Sequence, residues 1–128
     1  MHYLVGTDSV HTTAAACDYL AERATDADTV TVVAVVLPDA DELSRRDGEE
    51  ALTVAPVRLA TVGTVETEVL EGEPAETILE TAADVDADEI VVGARSGAPD
   101  TPVGLGSTAA SILTDADRPV VVVPLPEL

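Results

Sequence analysis

Five short runs of apolar residues most constrain the fold of this 128-residue chain. The runs are rich in valine, are separated by segments with helical spacing, and lie at residues 3–7, 29–37, 65–69, 89–93 and 120–123. β-Branched residues favour strands, and strands that alternate with helices favour a parallel sheet covered on both faces. The sequence therefore predicts one α/β domain over residues 1–128, with three α/β/α layers.

The segments between the strands predict four helices. Apolar residues recur at helical spacing over 12–24, and two further helices are expected to begin after Gly72 and at Gly106. The acidic stretch 39–50 is predicted to be a loop by its composition. Residues 51–60 have helix-like spacing, although Pro56 would break or kink a helix that it does not begin.

The order of the strands follows from the alternation. If the chain winds outward through three strands and then returns beside the first, the parallel sheet is doubly wound with the order 3-2-1-4-5. The fifth strand is then an edge made of four valines, which would aggregate unless it were covered. We therefore predict a homodimer that pairs through Val120, Val121, Val122 and Val123.

Acidic residues dominate the charge, with 25 Asp and Glu against 6 basic residues, and every basic residue is arginine. Because the acids are scattered along the chain, they favour adaptation to a salt-rich cytoplasm, as in a halophilic organism, over an acidic module for a basic partner. Without lysine the chain has no Walker P-loop, kinase strand lysine or Schiff base. Six dispersed arginines also form no basic stripe for nucleic acid.

Other classes of site find little support in the sequence. Cys17 has no partner for an internal disulfide, and His2 and His11 lack companions at metal-ligand spacing. No stretch is long enough for a membrane span and no signal peptide is visible, so a cytoplasmic location is expected. No catalytic triad emerges, and no catalytic residue is predicted.

A binding site is predicted where the winding direction reverses, between the first and fourth strands. Asp8 ends the first strand and Gly93 ends the fourth, from which a loop rich in glycine leads into a helix at Gly106, Ser107 and Thr108. Glycines beside a helix N-terminus allow backbone N–H groups to approach an anion. This arrangement suggests phosphate, although Asp8 and the Gly106–Ser107 pair could also serve only as helix caps.

The spaced motif Gly93, position 96 and Gly106-Ser107 resembles one in the universal stress protein family, and the resemblance covers nearly the whole chain. Its ATP-binding members carry Gly, two residues, Gly, nine residues and then Gly-Ser or Gly-Thr. Gly93, position 96 and Gly106-Ser107 have that spacing, with serine at position 96. The resemblance extends to Val-Gly-Thr-Asp8, Val-Leu-Glu-Gly72-Glu-Pro74-Ala, Asp88-Glu-Ile-Val-Val-Gly93 and Asp117-Arg-Pro119-Val-Val-Val-Val. It implies an adenine nucleotide alpha-hydrolase-like fold.

The resemblance also implies roles for single residues. Asp8 would contact the adenosine part, the backbone of Val35 would hold the adenine edge, and the phosphates would lie at the glycine-rich loop. It implies dimerisation through the last strand as well. The phosphate contacts that it implies are Gly93, Gly106 and Ser107. Beside the resemblance, four further residues of this segment are candidate nucleotide contacts: Arg95, Ser96, Gly97 and Thr108. Mg²⁺ would be held mainly by phosphate oxygens.

Two functions from different classes follow. The first is a homodimeric universal stress protein that binds ATP or a related adenine nucleotide as a regulatory ligand. The second is a member that does not bind nucleotide and acts as a protein–protein interaction module, which the serine at position 96 favours. A small hydrolase on the same architecture is a third hypothesis, without a catalytic set to support it.

Overall fold

The computed structural model describes residues 1–94 and 105–125. These residues form five strands and five helices: β1 His2–Thr7, α1 Val10–Ala21, β2 Thr29–Val36, α2 Glu42–Leu52, α3 Ala55–Arg58, β3 Thr64–Glu71, α4 Pro74–Asp84, β4 Glu89–Gly93, α5 Ser107–Asp115 and β5 Val120–Val123.

The strands form a parallel sheet in the order β3-β2-β1-β4-β5, which confirms the predicted topology. β1 lies at the centre, where Gly6 pairs with Val33 of β2 on one side and with Val92 of β4 on the other. All neighbouring strands are parallel, so their carboxyl ends meet at one edge of the sheet. This carboxyl edge contains the predicted switch point.

The core consists of two apolar clusters, one on each face of the sheet. Ala16, Cys17 and Leu20 of α1 pack into the first cluster with Val5 and Val32 of the sheet. The second cluster joins helices α4 and α5 to the opposite face, and its most buried members include Leu4, Val33, Ala82, Ile90 and Ile112. The chain therefore has the predicted three layers, with α1 on one face of the sheet and α4 and α5 on the other.

The prediction of a loop over residues 39–50 is wrong, because residues 42–52 form α2. Asp41 caps this helix by accepting a hydrogen bond from the backbone N–H of Ser44 at 2.8 Å. Gly48, which suggested a loop, is buried where the helix crosses the sheet, and a Cβ there would lie 3.3 Å from Cγ1 of Val36. Close packing against β2 therefore outweighs the loop-like composition.

The segment around Pro56 also differs from the prediction of one helix over 51–60. Residues 51 and 52 end α2, and a separate one-turn helix, α3, begins at Ala55 with Pro56 in its first turn. Proline suits this position because the first N–H groups of a helix have no partner within the helix. The described residues thus contain one helix more than the four predicted.

Among residues 1–94 and 105–125, no helix has the length and apolar character needed to cross a membrane.

Candidate functional site

At the carboxyl edge of the sheet, the switch point lies between the adjacent strands β1 and β4, where an open α/β sheet has its ligand crevice. After β1 the chain enters α1, which packs on one face, and after β4 it reaches α5, which packs on the other face. The two connections therefore diverge above adjacent strands, as in other doubly wound sheets where ligands bind at this point. Of the predicted residues, Asp8 lies between β1 and α1, Gly93 ends β4, Gly106 precedes α5 and Ser107 begins it.

Asp8 is exposed and lies between the end of β1 and the start of α1. Its Oδ1 accepts a hydrogen bond from the hydroxyl of Thr12 at 3.0 Å. The helix cap is Ser9, whose Oγ accepts from the backbone N–H of Thr12 at 3.1 Å. The alternative in which Asp8 serves as the cap is therefore wrong, since its neighbour has that role.

Hydroxyl groups beneath Asp8 fix the turn from β1 into α1. Thr7 Oγ1 and Thr13 Oγ1 lie 2.8 Å apart, and both residues are buried. Each hydroxyl is also within hydrogen-bond distance of the carbonyl oxygen of Ser9, at 3.0 and 2.9 Å. Because buried hydroxyls with partners hold one geometry, the turn presents Asp8 from a defined backbone position.

The N-terminus of α5 belongs to the connection that follows β4, on the other side of the switch point. Gly106 is its N-cap residue, and within the described part of the chain no side chain bonds to the first N–H groups of this helix. The N–H of Gly106 donates to the carbonyl of Ala94 at 2.6 Å, which brings the two described ends of the connecting loop together. Ser107 is exposed and Thr108 is half-buried at this helix end.

The other helices that follow a strand directly are closed by their own residues. α1 is capped by the hydroxyl of Ser9, α2 by the carboxylate of Asp41 and α4 by the carboxylate of Glu73. The hydrogen bond from the Ser44 N–H lowers the pKa of Asp41, so this cap is anionic at neutral pH. Of the four helices that follow a strand in the described residues, only α5 therefore begins without a side-chain cap.

The remaining predicted contacts fall into two groups. Val35 lies near the end of β2, and Ala34 pairs with Thr7, so Val35 and Asp8 follow paired residues at the same level of the sheet. Its half-buried side chain packs towards the cluster of α4, while its backbone is part of the strand. Arg95, Ser96 and Gly97 lie outside the described residues.

Arg118 has a role away from the crevice. Its Nη1 donates to the carbonyls of Ala82 at 2.9 Å and Ala87 at 2.7 Å, and its Nε donates to Asp117. These partners lie at the end of α4 and before β4, which is the opposite edge of the sheet. Arg118 therefore joins the end of α4 to the segments before β4 and β5, which is a structural role.

Metal and thiol chemistry find no site in the described part of the chain. Residues 1–94 and 105–125 contain no group of three or more His, Cys, Asp or Glu side chains placed to hold a metal ion. Cys17 is fully buried on α1, and burial raises the pKa of its thiol to about 11. A neutral buried thiol behaves as a small apolar side chain.

Comparison of the sequence with known protein families shows to which family the chain belongs. Residues 1–124 match the Universal stress protein family. The chain belongs to the universal stress protein family. A search of curated protein sequences gives no significant match.

Solved structures of other universal stress proteins have the same fold. The protein from Archaeoglobus fulgidus is 25% identical with a TM-score of 0.77, covering 96% of this chain and 98% of that one. UspA from Lactobacillus plantarum is 26% identical with a TM-score of 0.74, covering 96% of this chain and 97% of that one. These similarities confirm the predicted family and fold.

Three more distant structures of universal stress proteins contain adenine nucleotides. A structure of the protein from Archaeoglobus fulgidus in complex with dAMP is 23% identical, with a TM-score of 0.73 over 96% of this chain and 97% of that one. A family member from Arabidopsis thaliana with AMP bound is 15% identical, with a TM-score of 0.67 over 98% and 92%. A third, in complex with cAMP, is 22% identical, with a TM-score of 0.68 over 98% of each chain.

Proposed function

We propose that this universal stress protein binds ATP or a related adenine nucleotide as a regulatory ligand in the crevice between β1 and β4, and that it acts as a homodimer. One observation carries the proposal: in the described residues α5, which follows β4, begins at Gly106 without a side-chain cap, while Asp8 follows the adjacent strand β1. The cAMP, dAMP and AMP complexes of relatives support adenine nucleotides as the ligand class.

The phosphates would lie at the start of α5. Its first N–H groups carry the positive end of the helix dipole, and a phosphate can accept hydrogen bonds from them. Carboxylates already occupy the corresponding positions of α2 and α4, where they would repel a phosphate. The distribution of caps therefore directs an anion to Gly106 and Ser107, with Thr108 and Gly93 beside them.

The adenosine would lie on the side of β1 and β2. The carboxylate of Asp8 can accept hydrogen bonds from ribose hydroxyls or from the adenine amino group. The backbone of Val35, at the same level on the neighbouring strand, can pair with the adenine edge. One nucleotide would thus span the crevice from Asp8 to Gly106.

Cations would be needed to bring a nucleotide to this edge. Asp41, Glu42, Glu71 and Glu73 lie there, and the chain as a whole carries a net charge of −19. Arg45 is paired with Glu71 and so does not offset the acids around the crevice. Mg²⁺ held by phosphate oxygens, in a cytoplasm rich in salt, would reduce the repulsion.

The homodimer would form through β5. The sheet has two edges, and β3 at one of them carries exposed Glu66 and Glu68, whose charges oppose pairing with another strand. β5 at the other edge consists of valines, three of which are only half-buried. Pairing of two copies through residues 120–123 would cover these side chains and the open backbone edge.

Calorimetric titration with ATP and Mg²⁺ at high KCl tests the nucleotide proposal. We expect the native protein to bind and Gly106→Val to bind much more weakly, because a side chain would obstruct the first N–H groups of α5. The backbone of Gly106, with φ −69° and ψ 161°, accommodates valine without strain. Ser111→Val, on an exposed position of the same helix, is the matched control and should bind like the native protein.

The second candidate, an interaction module without nucleotide, is favoured by the serine at position 96. A side chain there would narrow a glycine cradle or exclude a glycine-only backbone angle. Binding only by Ser96→Gly would show that this serine closes the site. If neither the native protein nor Ser96→Gly binds, the interaction module is the better proposal.

A further inference from the structure

Thr12 makes an unusual set of contacts for a residue in the first turn of a helix. It is only 2% exposed, although it lies beside the exposed Asp8. Its N–H donates to Ser9 Oγ at 3.1 Å, and Ser9 Oγ in turn donates to the Thr12 hydroxyl at 3.1 Å. The Thr12 hydroxyl then donates to Asp8 Oδ1 at 3.0 Å.

We propose that Thr12 is a positioning residue that holds the carboxylate of Asp8 in the orientation needed to bind the adenosine part of a nucleotide. The inference rests on the proposed function, since it assigns a role within the same site. It adds a residue that touches no ligand and acts only through Asp8.

The direction of the hydrogen bonds supports this role. An ionised carboxylate only accepts hydrogen bonds, so the proton between Thr12 and Asp8 belongs to Thr12. The Thr12 hydroxyl is then free to accept from Ser9, and the chain of donors runs from Ser9 through Thr12 to Asp8. Successive hydrogen bonds in one direction polarise and strengthen each other, and the one that ends on a charged group is the strongest type.

The helix does not need the Thr12 hydroxyl for its cap. Ser9 already accepts from the backbone N–H of position 12, and any residue at that position supplies the same N–H. Valine has nearly the shape of threonine and would fill the same buried space. The hydroxyl is therefore distinguished by its contact with Asp8 rather than by its contribution to the helix.

Holding an exposed side chain in advance of binding strengthens the binding of its ligand. A carboxylate that must be ordered when the nucleotide arrives lowers the affinity by the cost of that ordering, and a carboxylate that is already oriented does not. We expect Thr12→Val to raise the Kd for AMP about three- to tenfold, which is the size of the effect of ordering one side chain. Thr12→Ser, which keeps the hydroxyl, should restore the native Kd.

The experiment is a double-mutant cycle at high KCl with AMP as the titrant. It compares the native protein with Thr12→Val, Asp8→Ala and the double variant, and tripolyphosphate serves as a second titrant that lacks adenosine. If Thr12 acts through Asp8, Thr12→Val weakens the binding of AMP only when Asp8 is present. It then leaves the Kd for tripolyphosphate unchanged. An equal loss in the Asp8→Ala background, or any loss for tripolyphosphate, would indicate a general structural effect and overturn the inference.

Side-chain couplings of Asp8 measured by NMR provide a readout without ligand. One rotamer of Asp8 is expected in the native protein and in Thr12→Ser, with averaging between rotamers in Thr12→Val. A single rotamer in all three proteins overturns the inference.

Thr12→Ala also lacks the hydroxyl and replaces Thr12→Val if that variant does not fold. Native protein that binds neither AMP nor ATP refutes the proposed function and this inference together, whereas native binding with an unchanged Kd in Thr12→Val refutes the inference alone.

Discussion

Gly63 lies so close to the backbone carbonyl of Asp26 that a Cβ atom at position 63 would overlap its oxygen. The contact joins the turn before β3 to the turn before β2. Two backbone hydrogen bonds connect the same turns, from Gly63 N to Thr25 O and from Thr64 N to Asp28 O, each at 3.2 Å. Main-chain contacts thus fix the start of the edge strand β3 to the neighbouring strand β2. Rotation of a side chain cannot make room for an added Cβ at position 63, because the atoms in contact belong to the backbone.

Gly63→Ala is therefore expected to destabilise the protein. The new methyl group meets a backbone carbonyl, so the two turns must separate, at a cost of about 1–3 kcal/mol in the free energy of unfolding. Denaturant unfolding at high KCl measures the change. Gly48→Ala is the matched control, because its nearest neighbour is a methyl group of Val36 at 3.3 Å, and alanine also favours the helix. An effect at Gly63 no larger than that at Gly48 would contradict the prediction.

Arg118→Met is expected to lower the free energy of unfolding by about 2 kcal/mol, since hydrogen bonds from a charged donor contribute about 1.5–3 kcal/mol. The Arg118 side chain is 16% exposed, and loss of its guanidinium group leaves the carbonyls of Ala82 and Ala87 without this donor. Methionine retains most of the apolar length of the side chain. Arg46→Met removes a 67% exposed arginine from α2 and should change stability by less than about 0.5 kcal/mol. Similar effects of the two variants would show that the carbonyl contacts contribute little.

Cys17 predicts a loss of stability at alkaline pH. Burial raises the pKa of the folded thiol from its ordinary value of 9.0 to about 11, so the folded state holds this proton more tightly than the unfolded state. The contribution is complete below about pH 9 and decreases as the pH rises towards 11. Thermal unfolding across this range should show a steeper decline for the native protein than for Cys17→Ala. The pKa of Tyr3 is also raised, mainly by burial, so the stability of both proteins should still decline somewhat at alkaline pH.

The same burial predicts that the thiol is unreactive in the folded protein. At pH 8 a thiol reagent should label Cys17 only after denaturation, because the thiolate is both scarce and covered. Rapid labelling without denaturant would place Cys17 at the surface and remove the basis of the alkaline prediction.

The acidic composition predicts that folding depends on salt. The 25 acidic residues repel each other with little screening at low ionic strength, so helical circular dichroism should be lost on dialysis from high KCl into dilute buffer. Returning the salt should restore the signal. Full retention of the signal in dilute buffer would contradict adaptation to high salt.

The fold was largely predictable because valine-rich runs mark buried parallel strands, and their alternation with helices leaves few topologies. The helix α2 was not predictable from local pattern, since Gly48 and the surrounding acids are typical of a loop. In the structure Gly48 packs closely against Val36 of β2, a contact that exists only once the sheet has assembled. Tertiary packing therefore outweighs local propensity in α2, and the break before Pro56 is the other place where the helix prediction was wrong.

The sequence predicted on which connections the candidate residues lie, but not the contacts around them. Topology selected Asp8 and Gly106 at the ends of the connections beside β1 and β4, and the glycine spacing entered through the resemblance to the family. Ser9 as the cap and Thr12 as the partner of Asp8 were missed, because those contacts depend on the exact path of the turn. The available signal was the four-residue spacing of Asp8 and Thr12, which brings two positions together once a helix begins between them.

The difference between the two edges of the sheet limits how large an assembly can become. If two copies pair through β5 about a twofold axis, each copy covers the valine edge of the other. The two outer edges of the joined sheet are then both β3. Glu66 and Glu68 lie exposed on that strand, so each end of the combined sheet carries charges that oppose addition of a third chain. Such a contact closes on itself after two subunits and does not propagate into a fibre.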